Sequence, residues 1–186
     1  RVRAASRDRR GESPRVDLIA HSMGGLVARY YVKYGARDVL GARQPDPDYA
    51  GAGDVDTVVL IGVPEEGSLD TLRSLNSGIR IARPLPPEAI FTMPAAYQAL
   101  PRVRVAPFID ASGQPLDIDL YEPANWEKYG WSAFAPGSLH RLRDESVREF
   151  GHGEGEKRYQ ARLETMRAFH AAALDRASRL NLALDR

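Results

Sequence analysis

The sequence contains no cysteine, which removes disulfides, thiolate nucleophiles and cysteine metal ligands from consideration. It also lacks an excess of either charge: 26 Lys and Arg stand against 25 Asp and Glu, a net charge of +1. Balanced charge gives no electrostatic case for a nucleic-acid partner. Long apolar runs are missing as well. None approaches the roughly 20 residues of a membrane-spanning helix, and the basic opening RVRAASRDRRGESPR has no apolar signal-peptide core. The compartment stays open, with the cytoplasm as the default expectation. No Cys/His cluster, calcium loop or phosphate-cradling glycine loop is present, so no metal, nucleotide or other cofactor is expected.

What is there is the composition of a folded domain. The 186 residues are 43% hydrophobic and 27% charged, well away from disordered or fibrous compositions. The first residue is Arg rather than Met, as expected of a segment of a longer protein. Arg1 to Arg10 read as the polar end of a helix closed by Gly11. Val16-Asp17-Leu18-Ile19-Ala20 follows a proline as a short apolar run, the pattern of a buried strand. Leu26, Val27, Tyr30, Tyr31 and Tyr34 then recur at helical spacing, and Gly35 supplies a stop. After a Gly/Pro/Asp-rich loop from Gly41 to Asp54, Val55 to Ile61 forms a second β-branched strand ending at Gly62 and Pro64. Strand, helix, strand at this separation is a βαβ crossover, and hence a parallel α/β sheet.

Beyond Pro64 the pattern breaks up. Ser68 to Gly78 has the makings of a helix. The closely spaced prolines of RPLPPEAIFTMPAAYQALP exclude long elements. The aromatics Tyr121, Trp126, Tyr129, Trp131 and Phe134 concentrate in loop-like sequence, where they serve as core with some lining of a binding surface. From Gly155 to Leu184 one apolar face returns through Tyr159, Leu163, Met166, Phe169, Ala173, Ala177 and Leu180. The expected organisation is a core segment over 1–67, a cap or lid insertion over 68–152, and a long amphipathic helix over 153–186.

One stretch carries chemistry. In Ala20-His21-Ser22-Met23-Gly24 a serine lies between a strand and a helix, with small residues two before and two after it. A serine hydroxyl becomes a nucleophile only when it is exposed and given a base. A sharp strand-to-helix turn exposes it, and the small residues relieve the crowding that such a turn creates. Ala20 and Gly24 are the elbow positions, Ser22 is the candidate nucleophile, and the backbone N–H of Met23 is the candidate oxyanion donor. The competing role for Ser22 is an ordinary helix N-cap.

DLIAHSMGGLVARYY, Asp17 to Tyr31, resembles the nucleophile elbow of α/β hydrolases of the lipase and lecithin:cholesterol acyltransferase type. VVLIGVPEEGSLDTL, Val58 to Leu72, resembles the next strand and loop of that group, and MPAAYQALP with FIDASGQPLDIDLYEPANW resembles its cap. The resemblance implies an α/β-hydrolase fold, a parallel sheet bearing the elbow with an irregular helical cap. It implies an acyl-serine intermediate and a lipid or other small ester as substrate, with water or an alcohol as acceptor. Contact of the cap with a membrane surface is compatible with it.

In this fold the triad acid and histidine follow later strands of the sheet, and no strand-like run follows the last helix here. The four histidines are His21, His140, His152 and His170. His21 adjoins the nucleophile, His140 suits a helix start, and His170 falls within the long helix. His152, in FGHGEGE, is the candidate base within the chain, against the commoner role of a solvated loop histidine. The second oxyanion donor is also unaccounted for. The expectation is therefore a central segment of a larger hydrolase, with the triad acid and histidine outside it. The alternative is a hydrolase-derived binding or scaffold protein without catalysis. Glu65 and Glu66, after the second strand, read as a solvated loop.

Overall fold

The computed structural model describes residues 14–41, 45–80, 83–102, 105 and 108–186. The polar helix end expected over Arg1 to Arg10 lies outside them. The described chain forms two compact units, residues 14–65 with 179–186, and residues 66–178.

The first unit is built on the βαβ crossover. Strand β1 (Val16–His21) and strand β2 (Val55–Ile61) pair in parallel, with Leu18 opposite Val58 and His21 opposite Ile61. Between them runs helix α1 (Met23–Tyr34). Its apolar spacing buries Leu26 and Tyr34 beside Val39, Leu40, Leu180, Ala183 and Leu184. The carbonyls at the end of the last helix are met by donors from α1. Arg29 Nη2 donates to the Leu184 oxygen at 3.0 Å, Lys33 Nζ to the same oxygen at 2.7 Å, and Tyr34 to Ala183 at 3.1 Å. Tyr30 secures the loop after α1: its hydroxyl donates to Arg37 O and accepts from Val39 N–H.

Both strands leave apolar side chains in solvent. Ile19 is 75% exposed, and every residue of β2 after Val55 is exposed, including Val58, Val59, Leu60 and Ile61. Val27, expected on the apolar face of α1, is exposed too. The sheet of this unit has two strands among the described residues.

The second unit is mostly helical. Helix α2 (Leu69–Ser77) starts where Ser68 accepts the Thr71 N–H in its side chain, and it stops at Gly78. Strands β3 (Ile79–Arg80) and β4 (Pro84–Leu85) pair antiparallel. Three short helices each begin on a proline, where the missing N–H does no harm: α3 (Pro87–Phe91), α4 (Pro94–Gln98) and α5 (Pro123–Lys128). The aromatics expected as core behave unequally. Trp126 and Phe134 are fully buried, Tyr121 and Trp131 partly so, and Tyr129 is exposed. The polar tips inside are partnered: Trp126 donates to Leu120 O at 2.8 Å and Tyr97 to Phe91 O at 2.8 Å.

Helix α6 (Pro136–Asp185) starts well before the Gly155 expected from the periodicity, and Gly151 interrupts it with φ 75° and ψ 168°. A side chain is strained there, so glycine sets the break. The two arms lie side by side beyond it. Arg143 Nε donates to Glu156 at 2.8 Å, and Arg162 Nη1 to Ser146 at 3.4 Å. The FGHGEGE segment is thus the corner between two helical arms rather than a loop.

Candidate active-site serine

Ser22 sits between β1 and α1 with φ 55° and ψ −133°. This is backbone that L-residues other than glycine avoid, at a strain of about 1–3 kcal/mol. The strain is held by the neighbouring strand: Ser22 N–H donates to Ile61 O at 2.9 Å, extending the β1–β2 pairing one residue past β1. On the other side Gly25 N–H donates back to Ser22 O at 3.0 Å. The side chain is exposed and caps no N–H of the helix, although Ser22 occupies the N-cap position. An ordinary N-cap serine would have extended backbone and an engaged hydroxyl; Ser22 has neither.

Met23 opens α1, so its N–H is one of the orphan donors of a helix start, and no backbone acceptor takes it up among the described residues. The helix dipole adds partial positive charge at the same place. Gly24 and Gly25 differ sharply. A Cβ at Gly24 would meet nothing within 4 Å, whereas one at Gly25 would lie 2.0 Å from Val63 Cγ2 and 2.9 Å from its Cβ. Val63 is β-branched and cannot swing aside. Gly25 is therefore what lets α1 approach the chain leaving β2, a role the motif assigns to neither elbow position. Ala20 is half-buried in β1 opposite Leu60.

The histidines fall as follows. His21, exposed at the end of β1, is the sole histidine of the first unit among the described residues. His140, His152 and His170 belong to the second unit. His140 is exposed, with Nδ1 3.3 Å from Asp144 one turn on. His152, the candidate base, is exposed on the second arm of α6 directly after Gly151. His170 is 1% exposed, with Phe91, Tyr97, Trp126 and Phe134 ring centroids at 4.8 to 5.6 Å and no partner for Nε2. Burial pushes its pKa down to about 4, and Glu127 opposes this only in part. The periodicity placed His170 in the helix, but its enclosure by rings from α3, α4, α5 and the Ser132–Phe134 turn had no local signal. Glu65 pairs with Arg29 at 3.4 Å on the surface.

Among the described residues no cluster of three His, Asp or Glu could hold a metal ion, and no helix is long and apolar enough to cross a membrane. No family model, curated protein or solved structure matches this chain.

The arrangement brings together a strained, exposed serine, a helix N-terminus and a Met23 N–H that no backbone acceptor takes up among the described residues. That combination can present an alkoxide-forming hydroxyl and stabilise charge on an adjacent oxygen.

Proposed function

We propose that the chain is part of an α/β hydrolase similar to the lipases and lecithin:cholesterol acyltransferases, acting on lipid or other small ester substrates through an acyl-enzyme on Ser22. Ser22 Oγ adds to the ester carbonyl carbon, and its proton passes to a histidine base. The oxyanion so formed lies against the Met23 N–H. The bond to the leaving alkoxide then breaks, the alcohol departs with that proton, and water or a second alcohol attacks the acyl group. The reading assigns the histidine and its acid to sequence outside this one.

The observation that carries the reading is the backbone of Ser22. A serine with φ 55° and a hydroxyl that caps nothing is costly to keep for packing alone, and strain of this kind gathers where chemistry requires it. The apolar surface of β1 and β2 supports it as well. From Val58 to Ile61, β2 is apolar on both faces, a pattern that belongs inside a parallel sheet covered on both sides, which is the setting of an elbow.

The test is pre-steady-state hydrolysis of p-nitrophenyl butyrate and octanoate by the full natural protein. A nitrophenolate burst, lost in Ser22→Ala with the fold unchanged, is expected. A burst that survives Ser22→Ala, or none at all in a folded full-length protein, contradicts the reading. Added glycerol or a long-chain alcohol as acceptor separates hydrolysis from acyl transfer in the product analysis.

A further inference from the structure

A second site lies in the helical unit, independent of Ser22. A cavity of about 300 Å³ opens between α3, the Ser132–Phe134 turn and both arms of α6. Its wall is Phe91, Ala133, Leu142, Met166 and Phe169. Phe91 and Ala133 are buried, and the Phe91 and Phe169 rings stand 5.9 Å apart at 47°. Protein interiors seldom leave a gap much larger than a water molecule, and one of this size is in the range of ligand sites.

The polar groups decide what fits, because none is on offer. Four polar side chains border the cavity, Glu88, Thr92, Ser138 and Thr165, and each is bonded within the protein. Ser138 Oγ donates to Glu88 Oε1 at 2.5 Å, and Arg141 Nη2 donates both to that oxygen and to Ser138 Oγ. Glu88 thus has its own cation. Thr92 Oγ1 donates to Ala89 O at 2.8 Å, and Thr165 Oγ1 to Ala161 O at 2.9 Å. A charged or hydrogen-bonding head placed here gives up water and gains no partner in return. An apolar body has no such loss, and it covers the exposed parts of the wall.

We propose that this cavity binds a compact neutral hydrocarbon group that brings no polar atom into it. The volume sets the size. A cavity of about 150 Å³ lined by Leu, Ile and Phe takes up benzene, so one of twice that volume suits roughly nine to twelve carbons. The rings of Phe91 and Phe169 and the Met166 thioether favour an aryl body, through edge-to-face and sulfur–ring contacts.

The experiment uses the full natural protein with ¹³C-methyl-labelled methionine. The sequence has three methionines, Met23, Met93 and Met166. Of these Met166 alone lines the cavity, while Met23 adjoins Ser22 and reports on that site separately. The probes are propylbenzene, 3-phenylpropanoate and 3-phenylpropylammonium, which share one body and differ in the head. Propylbenzene is expected to shift the Met166 methyl resonance saturably, with Met23 and Met93 in place at the same concentration. Both charged probes should bind about tenfold more weakly, whatever their sign. Leu142→Phe adds bulk to the wall and should weaken propylbenzene by about tenfold as well. A Met166 resonance that stays still, or that moves only in step with Met23 and Met93, overturns the proposal. So does either charged probe binding as tightly as propylbenzene, or undiminished binding in a folded Leu142→Phe. The comparison of probes is made on the native chain, so it decides the matter even where that variant fails to fold.

Discussion

Ser22 combines two demands that oppose each other. Its φ of 55° suits glycine, yet the chemistry proposed for it requires a hydroxyl. Replacing it separates the two. Ser22→Gly is expected to stabilise the protein by about 1 kcal/mol, the strain removed less the extra freedom of an unfolded glycine. Ser22→Ala keeps the strain and should leave stability nearly unchanged. Urea denaturation of both variants checks this, and a Gly variant less stable than the Ala variant contradicts the strained backbone. His170 poses the opposite case, an ionisable group kept neutral by rings. Its pKa in the fold is near 4, against an ordinary 6.5. Between those values the unfolded chain takes the proton and the folded chain does not, so stability falls as the pH is lowered. The contribution is complete above about pH 6.5, and the loss on reaching pH 4 is on the order of 3 kcal/mol. The facing charges are Glu127 and its partner Arg167, joined at 2.7 Å, and neither lies inside the ring cluster. Denaturation midpoints from pH 7 to pH 4 should slope for the native protein and flatten in His170→Phe. Equal slopes would remove His170 as the source. The exposed serine at a tight strand-to-helix turn was legible because small-x-Ser-x-Gly between strand and helix has a steric reason. The enclosure of His170 was not, because its ring neighbours come from elements scattered between positions 91 and 134.

At the scale of elements, the close approach of α1 to the chain after β2 depends on Gly25. Ala at this position must displace Val63, which lies at 2.0 Å from the added carbon, and a loss of about 2 kcal/mol or more is expected. Gly24→Ala enters open space and should gain about 0.5 kcal/mol from helix propensity. Thermal melting of the two variants decides it. Equal melting temperatures would mean that the contact with Val63 does not hold in solution. The βαβ unit itself was readable in the residues: a β-branched run after Pro14, an apolar helical stripe to Tyr34, and a second run from Val55. The α2 boundaries were readable too, since Ser68 and Gly78 are a cap and a stop. The corner in α6 was not. Two glycine-flanked stretches invite a loop, whereas the chain keeps helical geometry up to Gly151 and resumes it at once. The Glu88–Ser138 contact was equally hidden, its partners being 50 residues apart on elements with unrelated periodicities.

For the molecule as a whole, the apolar exposure of β1, β2 and Val27 is the feature that composition could not reveal. Apolar runs of this kind are read as buried, and the described residues leave them open. In the proposed hydrolase fold, further strands and helices cover them. The claim on which the account turns is that Ser22 reacts as a nucleophile. Its most direct test is treatment of the full natural protein with a fluorophosphonate, followed by trypsin and peptide mass measurement. Cleavage after Arg15 and Arg29 releases VDLIAHSMGGLVAR, in which Ser22 is the only serine. The account predicts the phosphonate mass on that peptide, and its absence after prior heat denaturation. An unmodified peptide from folded, full-length protein would contradict it.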